Sequence, residues 1–115
     1  MKKVALFAFQ GELMCFIHVL LNALDLKTKG HEAVVVIEGA ACKLVPELAR
    51  EDNPLHALYA KAKAQGLIAG VCRACSAKMK VTEAVESEGL TFLDDMSGHP
   101  GMSGFLAKGY DIISF

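Results

Sequence analysis

The sequence has almost no net charge: 13 acidic side chains stand against 12 basic ones, a formal −1 over 115 residues. That balance removes the electrostatic reason to expect nucleic acid or an anionic membrane as a partner. A membrane-length apolar run is also missing. The longest candidate, Leu13–Leu24, is interrupted by His18 and Asn22 and falls short of the roughly twenty residues that a span needs. The opening Met1-Lys2-Lys3 imitates the basic start of a secretory signal, but Val4–Phe9 is broken by Gln10, Gly11 and Glu12, too early for the apolar region of one. Cys15 follows Met14, not the small residue of a lipoprotein cleavage site. There are no repeats, linkers, low-complexity segments or phosphate-loop sequence, and the Gly98, Gly101, Gly104 spacing is not a dinucleotide fingerprint. The expectation is a cytoplasmic protein. Its four cysteines, Cys15, Cys42, Cys72 and Cys75, are then reduced thiols, metal ligands or catalytic groups, not a disulfide framework.

What is present is apolar. Hydrophobic residues make up 53% of the chain. With glycine counted and tyrosine left out the share is about 60%, against a usual 45–50%. Disorder is excluded. The length suits one domain, residues 1–115, able to bury a core without disulfides or a structural metal. The apolar surplus suggests strands buried on both faces, or surface hidden in an oligomer.

Periodicity divides the chain into alternating elements. Lys3–Phe9 reads as a first strand. Leu13 to Thr28 reads as a helix, with Leu13, Phe16, Ile17, Leu20, Leu21 and Leu24 on one wide face and Gly30 at its end. Ala33–Glu38 is a β-branched, buried strand. Helical patterns follow over Lys43–Arg50 and Pro54–Gln65, with Pro54 in a first turn. Leu67–Cys72 is a third strand. Short helices over Ser76–Met79 and Thr82–Ser87 come next, then a strand at Leu90–Leu93, a helix over Pro100–Lys108 and a final strand, Tyr110–Phe115. This alternation predicts an α/β fold: a five-stranded parallel sheet with helices on both sides.

In open α/β sheets, ligands bind at the carboxyl ends of the strands. Glu12 and Cys15 follow strand one, Glu38 and Cys42 strand two, Cys72 and Cys75 strand three, and Asp94, Asp95, Ser97 and His99 strand four. Cys72-Arg73-Ala74-Cys75 is one CxxC, where closed zinc sites usually show two pairs. Cys75 is placed to open a helix, with Arg73 and Lys78 nearby, conditions that favour a thiolate. Cys72 fits either a resolving thiol one turn away or a strand-end core residue. Glu12 fits a helix cap, or an acid, base or metal ligand. His99 fits a cap of the last helix, or a side chain facing the cysteines. A thioredoxin-type reading does not fit, because the pair follows the third strand and no suitable proline precedes a later one.

The segment Val71-Cys72-Arg73-Ala74-Cys75-Ser76-Ala77-Lys78-Met79, the opening Ala8-Phe9 to Leu24 and the closing Ser97-Gly98-His99-Pro100 together resemble the DsrE/DsrF-like superfamily, over nearly the whole chain. The resemblance implies a three-layer α/β/α sandwich with strand one inside the sheet and strand five beside it. It implies a sulfur carrier or sulfurtransferase, holding sulfane sulfur as a persulfide on a cysteine after strand three, with protein donors and acceptors of sulfur. It also implies a homotrimer or homohexamer, or an assembly with a paralogous subunit. A cysteine followed by a small-residue helix start matches Cys75-Ser76-Ala77 best, with Cys72 a second fit. The sequence departs from the relay pattern in its CxxC and in Cys15 and Cys42. Those extra thiols keep two other functions open. One is a zinc-type metal-binding module, in which Cys72 and Cys75 supply two soft ligands and two of Cys15, Cys42, Glu12 and His99 complete a tetrahedral set. The other is a non-catalytic binding protein in an oligomer.

Overall fold

The computed structural model describes residues 1–115. Alternation within the strands sets its layers. In β1 (Lys3–Ala8), Val4, Leu6 and Ala8 point into a large core, while Ala5 and Phe7 point to the other face. In β2 (Glu32–Ile37), Ala33, Val35 and Ile37 join the large core and Val36 the small one. Both faces are apolar, as a parallel sheet covered on each side requires.

The remaining strands are β3 (Ile68–Cys72), β4 (Phe92–Leu93) and β5 (Asp111–Ser114). All pairings are parallel and the order is β4-β3-β2-β1-β5. β1 is interior and β5 lies beside it, as expected. β1 and β2 pair along their full length, from Lys3 opposite Glu32 to Ala8 opposite Ile37.

Helix α1 (Leu13–Thr28) buries Phe16, Val19, Leu20, Ala23 and Leu24, successive steps of three and one that keep to one helical stripe. The stripe is rotated from the predicted one: Leu21 is 44% exposed, and Val19 and Ala23 are buried in its place. Alanine and valine let the helix sit close to the sheet. Gly30, at φ 87°, ends the helix. The Gly30 amide donates to the Lys27 carbonyl and the His31 amide to the Leu26 carbonyl, the paired bonds of a left-handed glycine stop.

The second connection differs from the predicted helix over Lys43–Arg50. A 3-10 turn spans Gly39–Leu44 and only α2 (Val45–Leu48) is α-helical. α3 (His56–Ala64) starts after Pro54, whose turn is fixed by the Leu55 amide donating to Asn53 Oδ1. α4 (Arg73–Lys78) and α5 (Thr82–Ser87) follow β3. The buried Tyr59 hydroxyl of α3 donates to Glu88 just past α5, and Lys63 pairs with the same carboxylate at 3.1 Å.

α6 (Ser103–Ala107) covers the other face. Its anchor is Phe105, edge-on to Phe7 with ring centroids 5.6 Å apart. The outer layers are thus unequal: a thick one of α1 to α5 and a thin one of α6 alone. β3 leaves the sheet toward the thick layer and β4 toward the thin one. The carboxyl end between β3 and β4 is therefore a switch point, where an open α/β sheet forms a crevice. No helix is long and apolar enough to cross a membrane.

Candidate functional site

Cys72 ends β3 and is itself the N-cap of α4, so the helix starts three residues before the predicted Ser76. Its sulfur accepts the Cys75 amide at 3.3 Å, and Ser76 Oγ donates back to the Cys72 carbonyl at 2.7 Å. These two local bonds close the first turn. They place Cys75 within it, with its thiol on the same side as that of Cys72.

The residues after β4 bring the third member. Asp94 pairs with Arg73 Nε at 2.8 Å, and Asp95 Oδ1 accepts the Gly101 amide at 3.0 Å. Met96 and His99 exchange backbone bonds of 2.7 and 2.9 Å. Gly98, at φ 90°, lets the chain turn back, and its carbonyl accepts the Ala74 amide at 2.9 Å. A side chain at Gly98 would meet Ala74 Cβ at 3.3 Å. The loop so folded points His99 at the cysteines, resolving the choice between cap and cluster: Nδ1 lies 3.2 Å from Cys72 Sγ and 3.7 Å from Cys75 Sγ. The three donor atoms lie within 4.8 Å of one another.

Exposure separates the thiols. Cys72 is fully buried, at 0%, whereas Cys75 is half-buried and reachable. Burial pushes the Cys72 thiol up from its ordinary pKa, the Cys75 amide pulls partly back, and the neighbouring Cys75 and Glu38 charges push up again. The Cys72 thiol has His99 Nδ1 at 3.2 Å and the Gly98 carbonyl at 3.8 Å as acceptors for its proton.

Sequence reasoning placed Glu38 at the right edge without giving it a role. Its carboxylate Oε1 lies 3.9 Å from His99 Nδ1 and the residue is 8% exposed. Burial holds its pKa above the usual carboxylate range, partly offset by the charge of His99. The signal in the sequence was an acidic residue closing an unbroken apolar strand. Glu38 also lines a cavity of about 440 Å³ with Phe9, Met96, Pro100 and Met102. The largest cavity, about 500 Å³, lies at the opposite edge of the sheet around His31 and Glu32 and has no cysteine.

The other candidates stand apart. Cys42 is buried in the 3-10 turn and donates to the Ile37 carbonyl at 3.7 Å. Burial, then the nearby Cys75 and Cys72, pushes its pKa up to about 12. It lies beside the cluster of Cys72, Cys75 and His99 but is not a member of it. Cys15 is half-buried in the first turn of α1, also outside the cluster. Glu12 is the N-cap residue of α1 by position, is exposed, and its side chain makes no capping bond. Arg73 spends its charge on Asp94 and on the face of Phe92, 4.6 Å from the ring centroid.

Known proteins agree with this architecture. The chain is 33% identical over 104 residues to an uncharacterised protein of Methanocaldococcus jannaschii, covering 90% of this chain and 83% of that one. A shorter stretch of 40 residues is 42% identical to an uncharacterised protein of Archaeoglobus fulgidus, covering 35% of this chain and 66% of the other. A solved structure of a conserved protein of unknown function from Bacteroides thetaiotaomicron has the same fold, with a TM-score of 0.65 at 20% identity over 96% of this chain and 94% of that one. The family model described as DsrE/DsrF-like matches residues 6–115. That match covers nearly the whole chain, and the chain therefore belongs to the DsrE/DsrF-like family.

Proposed function

We propose that this protein is a sulfur carrier with sulfurtransferase activity, and that Cys75 holds the sulfur. The observation that carries the reading is the pairing of an accessible thiol with a buried one beside a single imidazole nitrogen. His99 Nδ1 takes the proton from Cys75, whose thiolate attacks the outer sulfur of a sulfane donor. The S–S bond of the donor breaks, the donor leaves as a thiolate, and Cys75 carries S–SH. An acceptor thiolate then attacks the terminal sulfur, which leaves with it, and Cys75 returns as a thiolate. Without an acceptor, Cys72 gives its proton to His99 Nδ1, 3.2 Å away, and its thiolate attacks the inner sulfur on Cys75 instead. A Cys72–Cys75 disulfide forms and hydrosulfide leaves, so a thiol reductant is needed to reset the pair.

Protein donors and acceptors of sulfur fit a reactive group at an open sheet edge. A reducing compartment such as the cytoplasm suits four free thiols. A homo-oligomer, trimer or hexamer, suits the thin layer of α6, which leaves Leu106 and Ile113 at 58% and 49% exposure. The first test is the intact mass of reduced protein before and after a polysulfide donor. Wild type should gain whole sulfur atoms that a thiol reductant removes, and Cys75→Ser should gain none. Full loading of the Cys75→Ser protein would contradict the assignment.

A further inference from the structure

The same three side chains carry a second chemistry, which stands on their geometry and does not depend on the sulfur-relay reading. Zinc binds thiolate sulfur at about 2.3 Å and imidazole nitrogen at about 2.0–2.1 Å. A tetrahedral ion therefore sets sulfur and nitrogen about 3.6 Å apart and two sulfurs about 3.8 Å apart. The two sulfur–nitrogen separations in the protein are 3.2 and 3.7 Å, and all three donors lie within 4.8 Å of one another. Both sulfur–nitrogen separations are thus within about 0.4 Å of what the ion requires.

Three further features favour a cation. The Cys75 amide already donates to Cys72 Sγ at 3.3 Å, a bond that supports the thiolate form a metal requires. The Glu38 carboxylate is 3.9 Å from the ligating nitrogen, a negative group beside the position of the ion. The loop carrying His99 is braced by the Asp95–Gly101 and Met96–His99 bonds, so the imidazole is held in place before any ion arrives.

We infer that the reduced protein binds one Zn2+ through Cys72 Sγ, Cys75 Sγ and His99 Nδ1, and leaves the fourth corner to water or a small thiol. Two soft sulfurs and one imidazole suit zinc over magnesium or calcium, and three protein donors are the mark of an open zinc site. Cys15, Glu12 and Cys42 are not among the clustered donors, and the Cys42 thiol is turned to the Ile37 carbonyl. The ion would occupy the Cys75 sulfur that carries the persulfide, so zinc and sulfane sulfur exclude each other. Binding displaces two thiol protons into solvent, and affinity therefore falls in acid.

The test is an anaerobic titration of the reduced full chain with Co2+, followed by displacement with Zn2+. One equivalent of Co2+ should give the intense visible bands of four-coordinate cobalt and a near-ultraviolet thiolate charge-transfer band, both erased by Zn2+. Cys72→Ser and His99→Ala should each weaken binding by about 100-fold or more, since even outer-sphere partners of a ligand are worth about 10–100-fold. Cys42→Ser should bind as wild type. If Cys72→Ser does not fold, Cys75→Ala, at a more exposed position, serves in its place. Absence of the charge-transfer band, or undiminished binding in Cys72→Ser and Cys75→Ala, would overturn the inference. The Cys72→Ser protein also separates the two readings: it should lose the metal yet still load sulfur on Cys75. A wild type that binds Zn2+ without ever loading sulfur would sink the relay and leave the metal site standing.

Discussion

At the residue scale the four thiols divide by access. Cys75 and Cys15 are half-buried, and Cys42 and Cys72 are fully buried. Alkylation of the native protein at neutral pH should therefore label Cys75 and Cys15, and mass mapping should find Cys42 and Cys72 unlabelled until denaturant is added. With its pKa pushed up to about 12, Cys42 stays a neutral thiol across the ordinary working range, and raising the pH to 9 should not expose it. Glu38 makes the opposite point about stability. Burial raises its folded pKa, so the unfolded chain ionises first and stability is lost as pH rises from the ordinary carboxylate range through the folded value. Glu38→Gln should accordingly raise Tm at pH 7, with the difference vanishing at acid pH where both states are protonated. An equal Tm difference at both pH values would contradict this. The residue types at the site were legible in the sequence because strand ends concentrate ligands, and Cys72, Cys75 and His99 were all singled out. The role of Cys72 as helix cap was not legible, because cysteine is not among the usual capping residues.

At the scale of elements, some boundaries were legible and some were not. α1 was read from Leu13 to Thr28 because apolar periodicity and Gly30 agree on it. The 3-10 turn over Gly39–Leu44 was missed because Gly-Ala-Ala-Cys has no periodic signal and its shape depends on packing beneath the thick layer. The predicted final helix from Pro100 starts only at Ser103, since residues up to Gly101 are held in the loop by Asp95. Two variants test the ties between elements. Tyr59→Phe removes the bond that joins α3 to the end of α5, and should cost about 1–2 kcal/mol. That bond, then Lys63, holds the Glu88 pKa below its ordinary value. The stabilisation is thus present above the unfolded carboxylate pKa and fades as pH falls through the folded one. The deficit of the variant should shrink in acid, measured by urea unfolding at two pH values. Gly98→Ala forces a side chain into φ 90° against Ala74. It should cost about 1–2 kcal/mol and impair the site more than Gly104→Ala, a position with open space around it.

For the whole molecule, the unequal layers matter most. Five helices shield one face and a single short one shields the other, with Phe105 as its anchor on Phe7. Phe105→Ala should cost about 2–3 kcal/mol, less than a fully buried phenylalanine because Phe105 keeps some exposure. Native mass spectrometry of wild type should show a trimer or hexamer. A strict monomer at micromolar concentration would remove the oligomer from the proposed function. The parallel sheet and its reversal between β4 and β5 position the chemistry, because that reversal opens the crevice where Cys72, Cys75 and His99 meet. The most direct test of sulfur carriage uses the two residues that flank Cys75. Trypsin cuts after Lys63, Arg73 and Lys78, so Cys72 falls in the peptide Ala64–Arg73 and Cys75 in Ala74–Lys78. Wild-type protein would be loaded with a polysulfide, alkylated at once to trap the persulfide, and digested. Extra sulfur in Ala74–Lys78, removed when a reductant precedes trapping, is the expected result. Extra sulfur confined to Ala64–Arg73, or in neither peptide, would contradict Cys75 as the carrier.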